Sequence, residues 1–263
     1  MKKGVQYFKI KNNNMFKYLF TFFLSSLSVI LYAEEYPTAQ TSKSFNASGA
    51  KTLKVATYEG KTAFGETTKG EIKSEEIYNF DTKGKIVESV INKSTQSYNY
   101  NTQGQLVKVE NDKGEAFTYT YLKGKLSVVK RTNNNGEILR MWKRTYNGIR
   151  CVEIEYNKDG KEETKKHFTN NRLVKWEGDL VVGHYKYNQS GKLISIEGGF
   201  ATTTYKYNAK GLEAKIFVDV LLGGKNTRTL SYKYDSKGNW IYCVKVNDNK
   251  QDWDEIVERT ITY

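Results

Sequence analysis

Five segments of this chain repeat one short pattern, Tyr-x-aromatic-Asn/Asp-x-x-Gly. They are residues 78–84, 98–104, 185–191, 205–211 and 232–238. Two aromatic residues separated by one position share a face of a β-strand. The Asn or Asp that follows opens a turn by accepting hydrogen bonds from the backbone ahead of it. Glycine three positions later supplies the left-handed conformation that closes a short hairpin loop. Counting across such loops sets Phe80 opposite Ile86, Tyr100 opposite Leu106, Tyr187 opposite Leu193 and Tyr234 opposite Trp240. Shorter loops set Tyr121 opposite Leu126, Tyr146 opposite Ile149 and Phe168 opposite Leu173. Each pair of a ring with a large apolar residue contributes about 0.2–1 kcal/mol and pins the register.

Turns of this kind fall near Gly60, Gly84, Gly104, Gly124, Gly148, Asn171, Gly191, Gly211 and Gly238. Between them lie opposite-edge turns at Gly70, Asn92–Ser94, Gly114, Gly136, Gly160, Gly178, Gly198–Gly199 and Gly223–Gly224. The expected fold is all-β, an antiparallel meander of about 19 strands of roughly 6–8 residues. A sheet beyond ~10 strands does not stay flat, because strand twist accumulates. The aromatic face carries Tyr98, Tyr100 and Leu106. Val107, Val109, Ile194 and Ile196 are read as apolar residues of the other face. A curled or spiralling, solenoid-like ribbon is therefore expected. Its single proline leaves the backbone donors free for sheet ladders.

The first residues read differently. Lys2, Lys3, Lys9, Lys11 and Lys17 precede an uncharged, mostly apolar run from Tyr18 to Tyr32, short of the ~20 residues that span a bilayer. Leu31-Tyr32-Ala33 then offers a cleavage point. Residues 1–33 are expected to be a signal peptide starting at Met1 or Met15, residues 34–50 a flexible leader, and residues 51–263 the hairpin-repeat domain. Without its first 33 residues the chain keeps 37 basic and 29 acidic residues, interspersed as on a solvated surface. Cys151 and Cys243 fall on strands expected to lie far apart, which disfavours a disulfide.

At Tyr-x-Tyr-Asn/Asp-x-x-Gly-x-Leu the chain resembles the YD-repeat family of rearrangement-hotspot (RHS) proteins, especially short exported bacterial members. Asp235-Ser236-Lys237-Gly238-Asn239-Trp240 and the strand ending at Tyr263 are similar to the closing hairpin of those proteins. The resemblance covers roughly residues 52–263 and implies a spiralling β-ribbon. In large relatives that ribbon encloses a toxic C-terminal segment, for which this chain has no room after Gly238. Carbohydrate or cell-surface binding is the role the resemblance carries forward. A likeness to MORN repeats is looser, because they lack the Asn/Asp position.

No constellation for catalysis is found. His167 and His184, the only histidines, have no metal-pair spacing. Gly60-Lys61-Thr62 lacks the upstream glycine of a phosphate loop. Asp248, Asp252, Asp254 and Glu255 form an acidic loop without the spacing of a calcium site. Glu75 and Glu76 point to opposite faces. No enzyme, cofactor or metal is expected, and no nucleic-acid partner. The candidate ligand-binding residues are the recurrent rings Trp176, Tyr185, Tyr187, Tyr205, Tyr207, Tyr232, Tyr234 and Trp240, which stack on sugars if exposed. Core packing is the competing role for the same rings. The favoured reading is a secreted, periplasmic or cell-surface binding or structural module, with a glycan or envelope protein as partner and membrane contact only through the signal peptide. The alternative is an outer-membrane β-barrel, against which stand strands shorter than the ~9–11 residues a tilted membrane strand needs.

Overall fold

The computed structural model describes residues 36–179, 181–221, 223–248 and 254–263. The expected signal segment lies outside the described residues. Eighteen strands follow one another without a helix among the described residues. They are β1 (Thr52–Ala63), β2 (Glu66–Phe80), β3 (Ile86–Ile91), β4 (Ser94–Tyr100), β5 (Leu106–Asn111), β6 (Ala116–Leu122), β7 (Lys125–Thr132), β8 (Ile138–Asn147) and β9 (Arg150–Asn157). The second half comprises β10 (Glu162–Thr169), β11 (Arg172–Glu177), β12 (Val182–Tyr187), β13 (Leu193–Gly198), β14 (Ala201–Tyr207), β15 (Glu213–Val220), β16 (Gly224–Tyr234), β17 (Trp240–Asn247) and β18 (Asp254–Thr262).

Each strand pairs antiparallel with its chain neighbours, and β18 returns to pair with β1 from Thr52↔Thr262 to Gly60↔Asp254. The sheet is therefore a closed 18-stranded barrel. This corrects the expected spiralling ribbon. Neighbour-to-neighbour pairing is as the hairpins imply, but the two end strands meet and leave no open edge. The physical reason lies in twist and in the edges themselves. A long sheet coils, and joining its ends pairs backbone groups that would otherwise template aggregation.

The hairpins confirm most of the expected pairs. Phe80↔Ile86, Tyr100↔Leu106, Tyr121↔Leu126, Phe168↔Leu173, Tyr187↔Leu193 and Tyr234↔Trp240 are all in register. At each the ladder shifts by one residue, a bulge beside the ring. In the repeated loop the turn-opening side chain holds the backbone: Asn101 Oδ1 accepts from the Gln105 N–H at 2.8 Å, and Asp81 Oδ1 from the Lys85 N–H at 2.8 Å. Gly104 takes φ +76°, as the loop requires.

Three expectations differ. Tyr146 faces Cys151, not Ile149, because the two-residue loop is Gly148–Ile149 and Asn147 still pairs with Arg150. Gly60 and Gly70 lie inside strands, and the first turn is at Phe64–Gly65. A Cβ at Gly60 would fall 2.8 Å from Asp254 Cβ, so this glycine serves close approach of β18. Finally, Val109 pairs with Tyr98 and Ile196 with Tyr185, so both share the aromatic face. The bulge after each loop changes the inside–outside parity, so simple alternation assigns these residues to the wrong face.

A second bond links one hairpin to the next. The Tyr100 hydroxyl donates to the Ile86 carbonyl at 2.9 Å, Tyr121 to Leu106 at 2.9 Å, Tyr146 to Leu126 at 2.9 Å, Tyr187 to Leu173 at 2.8 Å and Tyr207 to Leu193 at 2.6 Å. The repeated ring thus pairs within its own hairpin and ties that hairpin to the preceding one. Replacing Tyr207 with Phe keeps the ring and removes the tie. It should lower unfolding stability by about 1 kcal/mol, read as a lower urea midpoint at unchanged slope. An unchanged midpoint would show the hydroxyl to be dispensable.

Candidate functional site: the inner wall

Of the buried side chains on described strands, all but Ala116 and Ile256 lie on the face that carries the repeated rings. That face includes Trp142, Val109, Glu153, Glu155 and Lys166, each under 5% exposed. Convergence toward a common axis buries them, so this is the inside of the barrel. The outer face carries Lys130, Lys143, Lys165, Lys175, Lys186 and Lys206. At ~4.8 Å between strands, 18 strands give a perimeter of roughly 86 Å before tilt. Barrels of about 16–18 strands in general enclose a lumen wider than their wall side chains fill.

Residues 36–50, expected as a flexible leader, occupy part of the inner space. Tyr36 and Ala47 are buried at 5% and 0% exposure. The Tyr36 ring packs edge-on against Trp142 at 5.2 Å and Tyr119 at 6.1 Å. Phe45 lies 4.5 Å from Tyr78 and 5.8 Å from Phe80. Backbone bonds fix the path: the Ser42 N–H donates to the Gly84 carbonyl at 2.8 Å, and the Ile86 N–H to the Gln40 carbonyl at 3.1 Å. Arg259 donates to the Phe45 carbonyl at 2.7 Å. The leader thus lines the wall from β18 through β9.

A buried charge cluster anchors its start. Glu153 accepts from the Tyr36 hydroxyl at 2.5 Å and from Arg144 Nε at 2.7 Å, and Lys166 Nζ stands 3.9 Å away. One step along β9, Glu155 accepts from Arg140 and from Thr164 Oγ1 at 2.9 Å. Arg140 also meets Glu163 at 2.9 Å. The alternation in Val152-Glu153-Ile154-Glu155 suggests charges outward and aliphatics inward. The register shows the reverse, because β9 faces Arg144 and Arg140 across the inner ladder. Sequence reading missed these residues for that reason.

All eight candidate rings lie on the inner face of β11–β17, the stretch of wall beyond the part the leader contacts. They form two layers. Tyr187, Tyr207, Tyr234 and Trp240 stand at the hairpin rim, where each has a structural partner. Arg172 lies over Tyr187 at 5.7 Å, Lys192 over Tyr207 at 5.0 Å, Lys210 over Tyr234 at 3.5 Å and Arg259 over Trp240 at 4.1 Å. Deeper by one strand step are Tyr185, Tyr205 and Tyr232, with Trp176 across from Lys166. Tyr205 is buried, whereas Trp176, Tyr185 and Tyr232 are half-buried. Thr203, Arg228 and Glu213 share this inner face, and burial raises the Glu213 carboxyl above its ordinary value. The arrangement offers ring faces flanked by a few polar groups, which suits a ligand with both apolar and hydroxyl surfaces.

The remaining sequence candidates are occupied locally. His167 bonds Glu177 at 2.6 Å, and His167 and His184 both lie on the outer face. Asp248 accepts from the Thr227 N–H at 2.7 Å, Asp254 from the Asn247 N–H at 2.8 Å, and Glu255 pairs with Lys245 at 3.0 Å. Asp252 lies outside the described residues. Cys151 and Cys243 are buried free thiols. Among the described residues no group of His, Cys, Asp and Glu could hold a metal ion.

No family model and no curated protein matches the chain. Solved structures do resemble it. A porin-like protein from Bacteroides uniformis is similar over 86% of this chain and 100% of its own, at 14% identity and a TM-score of 0.51. One from Bacteroides vulgatus covers 80% of this chain and 97% of its own, at 12% identity and a TM-score of 0.43. The TcdB2–TccC3–TEV structure covers 74% of this chain and 14% of its own, at 11% identity and a TM-score of 0.29. The first likeness establishes a shared barrel fold. With the closed sheet it overturns the expected YD/RHS repeat ribbon.

Two outcomes are expected. Glu153→Ala leaves Arg144 and Lys166 facing each other in the buried wall, and should destabilise by about 3 kcal/mol, read by urea unfolding. Alkaline pH should also unfold the barrel. Burial pushes Tyr100 and Tyr205 up to about 12 from an ordinary value of 10. The folded state keeps protons that the unfolded chain releases, so their contribution is complete below pH 10 and is lost as pH rises toward 12. Far-UV circular dichroism that stays constant to pH 12 would contradict this.

Proposed function

We propose that this chain is a non-catalytic β-barrel of the cell envelope whose inner aromatic wall binds a ligand presenting sugar-like rings. The fold moves the reading from a repeat ribbon to a closed barrel, and the outer-membrane barrel that stood as the alternative becomes the second reading. The observation that carries it is the gathering of all eight candidate rings on the inner face of β11–β17, beyond the leader. Aromatic faces among hydroxyl, amine and carboxyl groups match the alternating apolar and polar surfaces of a carbohydrate. The basic and apolar segment before Ala33 supports export.

The outer wall supports a barrel bathed by water. Lysines at mid-strand positions would each cost about 2–4 kcal/mol at a bilayer midplane. Several sit in cross-strand ion pairs, such as Lys186 with Glu197. A second reading, insertion as an outer-membrane barrel, is favoured by the fold shared with the porin-like protein. Two measurements separate these. Released from the envelope, the chain should stay in the aqueous fraction without detergent; partition into the detergent phase would replace the water-bathed reading with the inserted one. On a glycan array it should bind at least one saccharide, and Trp176→Ala should weaken that binding about tenfold, close to 1.4 kcal/mol. No binding anywhere on the array would refute a saccharide-binding wall.

A further inference from the structure

One rim of the barrel carries a row of cations whose charge none of the preceding roles requires. The turns between β2 and β3, β6 and β7, β10 and β11, β12 and β13, β14 and β15, and β16 and β17 all lie at the aromatic end. They supply Lys85, Lys125, Arg172, Lys192, Lys210 and Lys237 respectively. Each extends over a tyrosine ring of the following hairpin end, from 3.3 Å for Lys237 over Tyr263 to 5.7 Å for Arg172 over Tyr187. Lys85 reaches far enough to donate to the Gly104 carbonyl at 3.0 Å. A Cβ built on Gly211 would lie 2.0 Å from Lys192 Nζ, which places that ammonium at the neighbouring turn. Turns of one rim stand two strands apart, so Arg172, Lys192, Lys210 and Lys237 follow at about 9.6 Å, whereas Lys85, Lys125 and Arg172 are four strands apart, about 19 Å.

The row has little to neutralise it. None of the six cations lies within ion-pair distance of a carboxylate among the described residues. Lys83, Lys123 and Arg150 add positive charge to the same rim. The acidic residues there, Asp81 and Asp235, direct their oxygens inward: Asp81 accepts from the Lys83 and Lys85 N–H groups, and Asp235 from Lys237, Asn239 and the Tyr263 hydroxyl. The opposite rim is mixed in sign, with Asp112, Glu115, Glu137, Asp159 and Asp179 beside Lys113, Lys158 and Lys161.

We infer that the aromatic rim docks on an anionic lipid surface. A barrel rim presents its turns as a ring, and cations distributed around that ring meet a plane of headgroup phosphates more fully than they meet a single flexible chain. The rings beneath restrict the cationic side chains, so less side-chain freedom is lost on docking. Attraction of this kind sums over the cations and falls within a Debye length of the surface. It requires no apolar outer wall and is independent of ligand binding inside the barrel.

Co-sedimentation with vesicles tests this. The purified chain should bind vesicles of phosphatidylcholine with one-third phosphatidylglycerol at least tenfold better than phosphatidylcholine alone, and raising salt from 50 to 200 mM should weaken the binding several-fold. Combined K85Q, K125Q, R172Q and K192Q substitutions should abolish the preference. A variant with matched charge loss at the other rim, K93Q, K113Q, K158Q and K161Q, should retain it, which separates rim chemistry from net charge. Should the four-site variant fail to fold, K83Q with K123Q, whose side chains cover no ring, should reduce the preference at least threefold. Equal binding to both vesicle types, or loss in the opposite-rim variant alone, would overturn the inference. So would binding to a soluble anionic polysaccharide with none to the vesicles.

Discussion

Eighteen hydrogen-bonded strands leave two edges, and this chain removes them by pairing its first strand with its last. The seam runs from Thr52↔Thr262 to Gly60↔Asp254. Leu53 and Ile261 meet on its inner side, and Gly60 lets β18 approach where any Cβ would collide. Everything else depends on this junction. It separates an inside from an outside, and so decides which residues become core and which become surface. An open ribbon with the same hairpins would have no enclosed wall to bury Glu153 or Lys166, and no space for the leader.

Around the ring, stability is assembled from repeated local units. Most units pair a ring with a large apolar side chain across their own loop, and five bond a tyrosine hydroxyl to the hairpin before them. Phe80 and Phe168 interrupt the hydroxyl series, while pairing with Ile86 and Leu173 persists. The local units are thus tolerant of variation, whereas the seam occurs once. The leader and the buried charges then fill one side of the interior. The wall beyond it carries the rings proposed to hold a ligand.

Much of this was legible in the sequence, because hairpin geometry is local. The Asn/Asp-x-x-Gly spacing fixes loop length, and loop length fixes which ring meets which aliphatic residue. The Tyr121–Leu126 and Phe168–Leu173 pairs follow from shorter loops by the same logic. Closure was not legible, since it depends on strands some 200 residues apart meeting through ordinary alternating sequences. Gly60 and Gly70 misled because a glycine needed for close packing looks like a glycine needed for a turn. The inside face was misread where a bulge changes parity, as at Val109. The inward placement of Glu153 and Glu155 runs against the usual pattern and was not anticipated. The candidate rings were found as a repeated motif, but their convergence on one inner surface needed the closed sheet. The buried cluster around Glu153 carried no motif at all.

The seam is tested most directly by placing cysteines at Lys54 and Thr260, which face each other across β1 and β18. Cys151 and Cys243 would first be replaced by serine. Under mild oxidation the full chain should form an intramolecular disulfide in high yield without aggregation, and moving the second cysteine to Glu258 should abolish it. A chain that stays reduced, or cross-links only between molecules, would show that the two end strands do not meet.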